Sequence, residues 1–190
     1  MNTLFKLLLA VSATSLLPVV YLIKSKTYLF QSEMYSVLSN ECWREILIKM
    51  SLLGYLVIPI ILAGLIIFLV SYLGKDEIHS GEVTDVKDAS GGFLPSYLGY
   101  FFVSLSIGDG EIFTLFFIFI LVTAFLFLSQ MNYYNPIFLF LGYKFYHIHT
   151  KNGLTFLLIS KELFKKSSEV DVGEVYRVNG FTFIHKRVKI

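Results

Sequence analysis

Residues 50–73 of the chain read MSLLGYLVIPIILAGLIIFLVSYL, and none of them carries a charge. A helix of about 20 apolar residues crosses the hydrocarbon core of a bilayer, so this stretch is long enough to span it. Across the whole chain 55% of the residues are apolar and only 16% are charged, whereas soluble domains average about 45–50% and about 25%. A chain of 190 residues has too few polar side chains to cover that much apolar surface. The sequence therefore predicts an α-helical integral membrane protein.

Three further apolar runs accompany this stretch. The sequence predicts about four transmembrane helices, at residues 4–23, 50–73, 93–107 and 112–129. The third run would rise only about 22 Å, and Gly108-Asp109-Gly110-Glu111 separates it from the fourth. Because two glycines and two acids end a helix and are costly in hydrocarbon, we expect a tight turn at the membrane surface here. A re-entrant segment followed by a single true span is the alternative.

The N-terminal run has a second interpretation. Lys6 and the small residues at 10–13 are typical of a secretory signal peptide, but this cleavage site would lie inside the apolar run, so we expect a retained span. Nine of the 16 Lys and Arg residues follow the last run. Because cytoplasmic loops are enriched in these residues, the C-terminus is predicted to be cytoplasmic with either three or four spans. The side of the N-terminus stays open.

A helical pattern precedes the second span. Trp43, Ile46, Leu47 and Met50 recur at helical spacing, and Asn40 is a candidate N-cap. We expect a helix that starts outside the bilayer near Asn40 and continues into the span, with Trp43 as an interfacial anchor. Trp43, Ile46 and Leu47 would then form the largest surface on the outer side. Packing against neighbouring helices is the simpler alternative.

Residues 75–92 form a polar segment. It contains five acidic side chains, two lysines and His79, and it ends in Ser90-Gly91-Gly92. The spacing of the carboxylates matches no metal-binding loop such as an EF-hand. We therefore predict a solvated loop.

The character of the chain changes after residue 134. Residues 1–134 would form the transmembrane region, and residues 135–190 an interfacial turn followed by a cytoplasmic β domain. Asn135-Pro136 is typical of an N-cap followed by a first-turn proline. The apolar residues that follow are too few to cross a bilayer, so we expect a helical turn at headgroup depth. The residues assigned to this membrane-interface motif are Asn135, Pro136, Gly142, Tyr143 and Tyr146.

Two hairpins are predicted in the tail. Asn152-Gly153 and Asn179-Gly180 each lie between two runs of strand-like residues. Asn-Gly in that position is a strong hairpin signal. We expect a small, four-stranded, mostly antiparallel sheet, which would gain stability from oligomerisation or from docking on a partner.

The tail is cationic. From Lys144 onward there are nine basic and four acidic residues, so its formal charge is +5, although the whole chain carries only +2. Attraction to anionic lipids accounts for such a charge, and so does an acidic partner or a nucleic acid. The residues that we expect to face a partner are Lys165, Lys166, Arg177, Lys186 and Arg187.

The sequence contains no recognisable catalytic constellation. We therefore expect no enzymatic activity and no cofactor. His147 and His149 share one face of a predicted strand and His185 could lie nearby, but no cysteine accompanies them, so zinc binding is not favoured. The apolar runs contain no charged residue beyond Lys6, which argues against ion-coupled transport by this chain alone.

Small residues offer a route to assembly. Ala10 with Thr14, and Ser104 with Gly108, are spaced by four residues, which permits close approach of helices. A homo-oligomer is therefore expected. One function open to such an assembly is a homo-oligomeric pore or small mechanosensitive channel.

The layout of about four spans and a compact β tail, together with the stretch NPIFLFLGYKFY at residues 135–146, resembles the KwaA family. Its members are the membrane subunits of the two-component Kiwa anti-phage defence system of bacteria. The resemblance implies a multi-pass protein of the bacterial inner membrane that assembles as a tetramer and responds to phage attachment or membrane disturbance. It also implies a cytoplasmic DNA-binding effector, KwaB, as partner, so nucleic acid would be reached only through that partner.

Short spans are compatible with such a role. Mismatch between a span and the bilayer costs fractions of a kcal/mol per Å, and several subunits can sum these costs into a population shift. The function that the resemblance implies is a membrane-embedded sensor and scaffold subunit of an anti-phage complex, with the pore as the alternative.

Overall fold

The computed structural model describes residues 2–28, 41–92, 94–129 and 134–186. Seven α-helices lie in these ranges: α1 Asn2–Thr14, α2 Leu16–Lys24, α3 Glu41–Leu53, α4 Val57–Leu69, α5 Leu94–Ser106, α6 Ile112–Ser129 and α7 Pro136–Phe140. Short 3-10 turns at Gly54–Leu56 and Val70–Tyr72 extend the helical stretch around α4. Within the same ranges, three stretches are long and apolar enough to cross a membrane: Thr3–Lys24, Lys49–Tyr72 and Ile112–Ser129.

The remaining predicted span corresponds to α5, which has only 13 residues and rises about 20 Å. Its hydrogen bonds with α2 show the direction of α5 in the bundle. Ser104 Oγ donates to Leu17 O at 2.9 Å, and Lys24 Nζ donates to Ile107 O at 2.6 Å, so α5 runs parallel to α2. The tight turn predicted at 108–111 connects it to α6, and Gly110 has a φ of +86° there. The chain therefore passes along the helical bundle four times, although only three of these passes have the length of a span.

The helix predicted ahead of the second span is present. It begins at Glu41 and passes through α3 and the 3-10 turn directly into α4. The candidate cap Asn40 lies outside the described residues. Trp43, Ile46 and Leu47 are all exposed, and Trp43 is 60% accessible.

The β domain is a six-stranded sheet in the order β1-β5-β6-β4-β3-β2. The strands are β1 Lys75–Ile78, β2 Val83–Asp88, β3 Lys144–Thr150, β4 Thr155–Ser160, β5 Val172–Arg177 and β6 Thr182–His185. Every neighbouring pair is antiparallel except β4 and β6, which are parallel. Both predicted hairpins, β3–β4 and β5–β6, are confirmed.

Two of these strands come from a segment that was predicted to be a solvated loop, and that prediction was wrong. β1 pairs with β5 and β2 pairs with β3, so residues 75–88 supply both edges of the sheet. Edge strands in natural proteins commonly carry charged side chains, which prevent further pairing. Only Ile78 and Val83 of this segment are buried in the sheet's own core, so its sequence lacks the apolar alternation of a central strand. The sheet therefore has six strands rather than four.

The extra strands also change the charge of the domain. Residues 75–88 carry two basic and five acidic side chains, a net charge of −3, against +5 from Lys144 onward. Residues 75–88 and 144–190 together therefore carry a net +2, and strands from both segments belong to one sheet.

The sheet has two buried faces. One face packs on the helices in a single core that includes residues of α1, α4, α7 and four strands: Phe5, Leu9, Ile66, Val70, Phe138, Phe145, Leu157, Ile159, Tyr176 and Ile184. The other face is covered by the connection between β4 and β5, from which Phe164 and Val170 pack against Tyr146, Ile148 and Val175. The sheet therefore lies directly against one end of the helical bundle.

Candidate functional site

The feature that joins the two parts of the protein is the short helix α7, which precedes β3. We call its contact region the junction, defined by Ser12, Asn135, Phe138, Tyr143 and Phe145. Asn135 Oδ1 accepts a hydrogen bond from the Ile137 amide at 2.9 Å, and Pro136 occupies the first turn. The predicted N-cap and N1 proline are therefore confirmed.

The other end of α7 is closed by Gly142, whose φ is +82°. The Gly142 amide donates to Leu139 O at 2.9 Å, and the Tyr143 amide donates to Phe138 O at 2.8 Å. This pair of bonds is the Schellman motif, which requires a left-handed residue that glycine adopts without strain. The rings of Phe138 and Tyr143 lie 5.8 Å apart and supply the apolar contact that accompanies the motif. α7 therefore has a defined beginning and a defined end, although it is only five residues long.

Asn135 also bonds to the first helix. Its Nδ2 donates to Ser12 Oγ at 2.7 Å, and the Asn135 side chain is 0% exposed. Ser12 lies near the middle of the stretch Thr3–Lys24. α7 therefore begins beside the middle of that helical stretch. Asn135, Pro136, Tyr143 and Tyr146 are buried within the protein, whereas Gly142 is exposed, and their position at a membrane interface stays a prediction.

A tyrosine from α5 completes this contact. Tyr97 Oη donates to Ala13 O and lies 3.3 Å from Tyr134 O. Its hydroxyl therefore links α1, α5 and the segment that leads into α7. An unpaired polar group is costly away from water, so this shared hydroxyl favours one relative position of the three elements.

Aromatic rings continue the contact into the sheet. Phe145 of β3 stacks on Phe138 at 6.5 Å between centroids and meets the Tyr134 ring edge-on at 5.4 Å. Gly92 also lies close to Tyr134, where an added Cβ would come within 2.9 Å of the tyrosine Cζ. A side chain at position 92 would therefore push against the end of the Tyr134 ring.

His147 lies at the border of this aromatic group. Tyr134 Oη and His147 Nε2 are 2.9 Å apart. Burial, together with the neighbouring His149, lowers the pKa of His147. The neutral imidazole is therefore the form that the folded protein favours.

At the opposite end of the bundle, the turn between α5 and α6 is bonded to the end of α2. Lys24 Nζ lies 3.2 Å from Asp109 Oδ1, in addition to its bond with Ile107 O, and Tyr21 Oη donates to Gly108 O at 3.3 Å. The two acids of the predicted turn are exposed. The α5–α6 turn, Lys24 and the beginning of α6 therefore lie together at the end of the bundle opposite the sheet.

The residues predicted to face a partner have different surroundings. Lys165 and Lys166 are exposed in the β4–β5 connection, which covers the sheet face that does not pack on the helices. Both their backbone amides donate to Glu169 Oε2. Those amide bonds and the two nearby ammonium groups lower the pKa of the Glu169 carboxyl. Lys186 Nζ instead bonds to Ser71 Oγ at 2.8 Å, beside the end of α4. Arg187 lies outside the described residues.

Arg177 lies next to acidic residues. Its guanidinium is 5.8 Å from the centroid of the Phe183 ring. It lines a cavity of about 230 Å³ together with Asp76, Glu77 and Glu82. The structure therefore brings Arg177 into a mixed-charge surface, which the charge of the tail alone did not indicate.

The small-residue pairs that suggested assembly are used within the chain. Thr14 Oγ1 and Thr123 Oγ1 are 2.8 Å apart, which bonds α1 to α6. Ser104 bonds to Leu17 O, as described above, and Ala10 is buried among residues of the same chain. These pairs therefore bring helices of one protomer together.

The three histidines considered for zinc have partners of other kinds. His149 Nδ1 is 2.7 Å from Thr155 Oγ1, and His185 Nδ1 is 2.9 Å from Ser160 Oγ. Within the described ranges, no group of three or more His, Cys, Asp or Glu side chains is placed to hold a metal ion.

The sequence patterns identified Asn135 as a site residue but not Ser12, Tyr97 and Thr123. Each of these three side chains bonds to a neighbouring element of the bundle. Each is a polar residue inside an apolar run. Polar side chains in such runs commonly face the interior of a bundle and bond across helices. That signal marks them as internal contacts, although it does not name their partners.

A comparison with protein families matches the chain, over residues 5–184, to the family described as anti-phage protein KwaA. A search of curated proteins and a search of solved structures gave no match. The family match begins inside α1 and ends inside β6, so it includes the junction and nearly all of the sheet. The chain therefore belongs to the KwaA family of anti-phage proteins.

Proposed function

We propose that the chain is a membrane-embedded sensor and scaffold subunit of a bacterial anti-phage complex. It detects membrane disturbance that accompanies infection and recruits a cytoplasmic DNA-binding effector, which the family resemblance implies to be KwaB. In this proposal the chain crosses the inner membrane several times, its C-terminus is cytoplasmic, and it assembles as a homo-oligomer, a tetramer by the same resemblance.

The observation that carries this proposal is the continuous core between helices and sheet. Residues of α1 and α4 pack in one cluster with residues of β3, β4, β5 and β6. Close-packed interiors transmit displacement instead of absorbing it. A change in the packing of the helices would therefore shift the sheet that we propose binds the effector.

The covalent connections support the same conclusion. Leu73 and Gly74 alone separate the end of the α4 stretch from β1. Five residues of sequence separate β2 from α5, and residues 141–143 connect α7 to β3. The sheet is thus joined to the bundle by three short connections, which leave little slack between them.

The surface of α6 supports contact with lipid or with another subunit. Only 11% of the stretch Ile112–Ser129 is buried within the protomer. Its exposed side chains include Phe113, Phe116, Phe117 and Phe125. Such a surface favours hydrocarbon or the helices of a second copy over water.

The pore has less support. The hydroxyls of Ser12, Thr14, Ser104 and Thr123, which lie inside the bundle, bond within the same chain. They are therefore committed to internal contacts and do not line a conducting path. Planar-bilayer recording tests this alternative, because tension-gated conductance by the purified chain would favour the pore.

The test of the sensor proposal distinguishes loss of coupling between the helices and the sheet from loss of membrane insertion or of effector binding. In cells that carry the chain and its effector, Phe138→Ala removes a ring from the junction core. We expect it to remain in the membrane fraction and to co-purify with the effector, but to lose at least tenfold of the protection measured by phage plating. The matched control is Phe140→Ala, because Phe140 is on the same helix but is 87% exposed.

The outcomes distinguish the parts of the proposal. Full protection by Phe138→Ala, with normal insertion and co-purification, would contradict transmission through the junction. Absence of the wild-type chain from the membrane fraction would contradict the location itself.

Effector recruitment has its own test. We propose that Lys165, Lys166 and Arg177 contribute to the effector-facing surface, because they lie on or over the sheet face that does not pack on the helices. Reversal of charge in Lys165→Glu/Lys166→Glu should reduce co-purification of the effector at least tenfold, whereas Lys151→Glu, in the exposed β3–β4 turn, should not. Unchanged co-purification of the double variant would remove these lysines from the interface.

A further inference from the structure

The helical stretch that contains α3 and α4 is interrupted between these two helices. Gly54–Leu56 forms a 3-10 turn there, and the Val57 amide donates to Gly54 O, three residues back. Pro59 follows as the third residue of α4, and a proline has no amide hydrogen to donate to Tyr55 O, four residues back. A 3-10 segment within a helix and a proline are both recognised causes of bending. We call Gly54–Leu56 the pivot.

The first helical stretch has a break of the same kind. α1 ends at Thr14 and α2 begins at Leu16, and Pro18 is the third residue of α2. Hydrogen bonds from the uninterrupted helices α5 and α6 hold this break on both sides: Ala13 to Tyr97, Thr14 to Thr123 and Leu17 to Ser104. A change of angle at this break would have to disrupt these bonds, so the first break is fixed within the protomer.

The pivot is held differently. In the part of the chain that the structure describes, no side-chain hydrogen bond joins residues 54–59 to another element. Tyr55 is buried, and α2 packs beside the pivot. Hydrophobic packing has no preferred direction, unlike a hydrogen bond. The angle at the pivot can therefore change without the loss of a bond to a neighbouring helix.

The two sides of the pivot are packed differently within the protomer. On the α4 side, Ala63, Ile66 and Val70 are 0% exposed and belong to the core that α4 shares with the sheet. On the α3 side, five large apolar side chains are between 37% and 60% exposed: Trp43, Ile46, Leu47, Met50 and Leu53. Segments with few buried contacts are the ones that move at low energetic cost. α4 is therefore the anchored side of the pivot, and α3 is the movable side.

The length of this stretch gives the movement a direct cause. From Glu41 to Tyr72 a straight helix would rise about 48 Å, against about 30 Å for a hydrocarbon core. A span that exceeds the thickness of its bilayer tilts or kinks. Trp43, near the far end of α3, is exposed and favours the interface between membrane and water. A thinner bilayer would therefore require a larger bend at the pivot.

We propose that α3 is a lever that tilts about the pivot as the thickness of the bilayer changes, while α4 stays packed on the sheet. The inference rests on the membrane location and the sensor function proposed above, for which the lever supplies the moving part. α2 lies beside the pivot, and α4 continues through the turn Val70–Tyr72 towards β1. A tilt of α3 therefore acts both on α2 and on the helix that leads into the sheet.

The test is a distance measurement between two spin labels in the full-length chain, reconstituted in bilayers of dimyristoleoyl or dierucoyl phosphatidylcholine, which are thin and thick. One label is attached to the native Cys42 on α3 and the other to Phe113→Cys, at the exposed start of the uninterrupted α6. Excess unlabelled chain removes distances between copies. Cys42 lies about 18 Å from Gly54 along the helix axis, so a tilt of about 20° moves it by about 6 Å. We expect a difference of that size between the two bilayers.

Two substitutions should stiffen the pivot. Pro59→Ala supplies an amide hydrogen for Tyr55 O, and Gly54→Ala lowers the cost of a regular helix through the turn. Together they should remove most of the difference in distance between thin and thick bilayers. Gly54→Ala alone should remove part of it, and this variant leaves the buried Pro59 ring in place.

The chain offers a matched control for each substitution. Pro95 lies in the first turn of α5, where a missing amide hydrogen costs nothing. Gly64 lies inside α4, and a Cβ added there would meet no atom within 4 Å. The double variant Pro95→Ala/Gly64→Ala should therefore respond to bilayer thickness as the wild type does.

The proposal is overturned if the wild-type distance is the same in both bilayers, or if Gly54→Ala/Pro59→Ala responds as the wild type does. These measurements need neither phage nor effector, so they are independent of the proposed function. In cells with the effector, the stiffened variant should lose at least about tenfold of the protection, and the control variant should keep it. Full protection by a chain that no longer bends would overturn the lever as the moving part of the sensor. Absence of protection by the wild type would contradict the proposed function and leave the distance result standing.

Discussion

Asn135 Nδ2 donates a hydrogen bond to Ser12 Oγ at 2.7 Å, across 123 residues of sequence. The same Asn135 side chain caps α7 through its Oδ1. One buried amide therefore orders the start of α7 and also holds that helix against α1. This double use makes Asn135 the most informative position at which to test the junction.

Asn135→Ala should destabilise the protein by about 2 kcal/mol, because it removes a helix cap worth about 1 kcal/mol and a hydrogen bond of similar size. Ser12→Ala removes only the second contact and should cost about 1 kcal/mol. The double variant should be no less stable than Asn135→Ala alone, because the shared bond can be lost only once. Denaturant unfolding of the full chain in detergent measures all three, and strictly additive costs would contradict the shared bond.

The hydroxyl pair between α1 and α6 permits a second double-mutant cycle. Thr14→Val and Thr123→Val each preserve the side-chain shape and remove one member of the 2.8 Å contact. We expect a coupling energy of about 0.6 kcal/mol, the average for hydrogen bonds between transmembrane helices. The cycle Thr14→Val with Thr114→Val is the control, because Thr114 bonds to Glu111 at the far end of α6. Equal coupling in the two cycles would show that the Thr14–Thr123 contact adds nothing specific.

The path of the helices predicts which residues share a side of the membrane. In a Cys42→Ser background, cysteines placed at Asp109 and at Asn152 should react with a membrane-impermeant maleimide from opposite sides. The reason is that the α5–α6 turn bonds to the end of α2, whereas the β3–β4 turn belongs to the sheet at the other end. A cysteine at Trp43 should react together with the one at Asp109. Reaction of Asp109 and Asn152 from the same side would exclude four crossings.

Stability should fall in mild acid because of His147. Its pKa is lowered in the folded protein, so below about pH 6.5 the unfolded chain binds a proton that the folded chain resists. The contribution is complete above the unfolded pKa and is lost as the pH falls through the folded pKa. His147→Gln should therefore flatten the decline in melting temperature between pH 7 and pH 5. His79→Gln, which removes one exposed imidazole from the same protein, is the matched control.

Local patterns predicted the parts of this protein that depend on neighbouring residues. The Asn135 cap, the Gly110-containing turn and both Asn-Gly hairpins follow from side chains and backbone preferences within a few positions. The same kind of signal misassigned residues 75–88. Their two strands form only by pairing with β5 and β3, which lie more than 55 residues further along the chain.

The sequence by itself determined an apolar helical protein with a β tail, because hydrophobic content and turn chemistry are properties of the chain. Tertiary structure alone decided that the sheet has six strands, that Ser12 and Asn135 meet, and that Lys186 reaches the end of α4 while Arg177 lies among acids. These outcomes depend on pairing across long separations. Such a contact forms only in the folded protein, because its two partners are far apart in sequence. The sequence around either partner therefore shows no periodic pattern that would predict it.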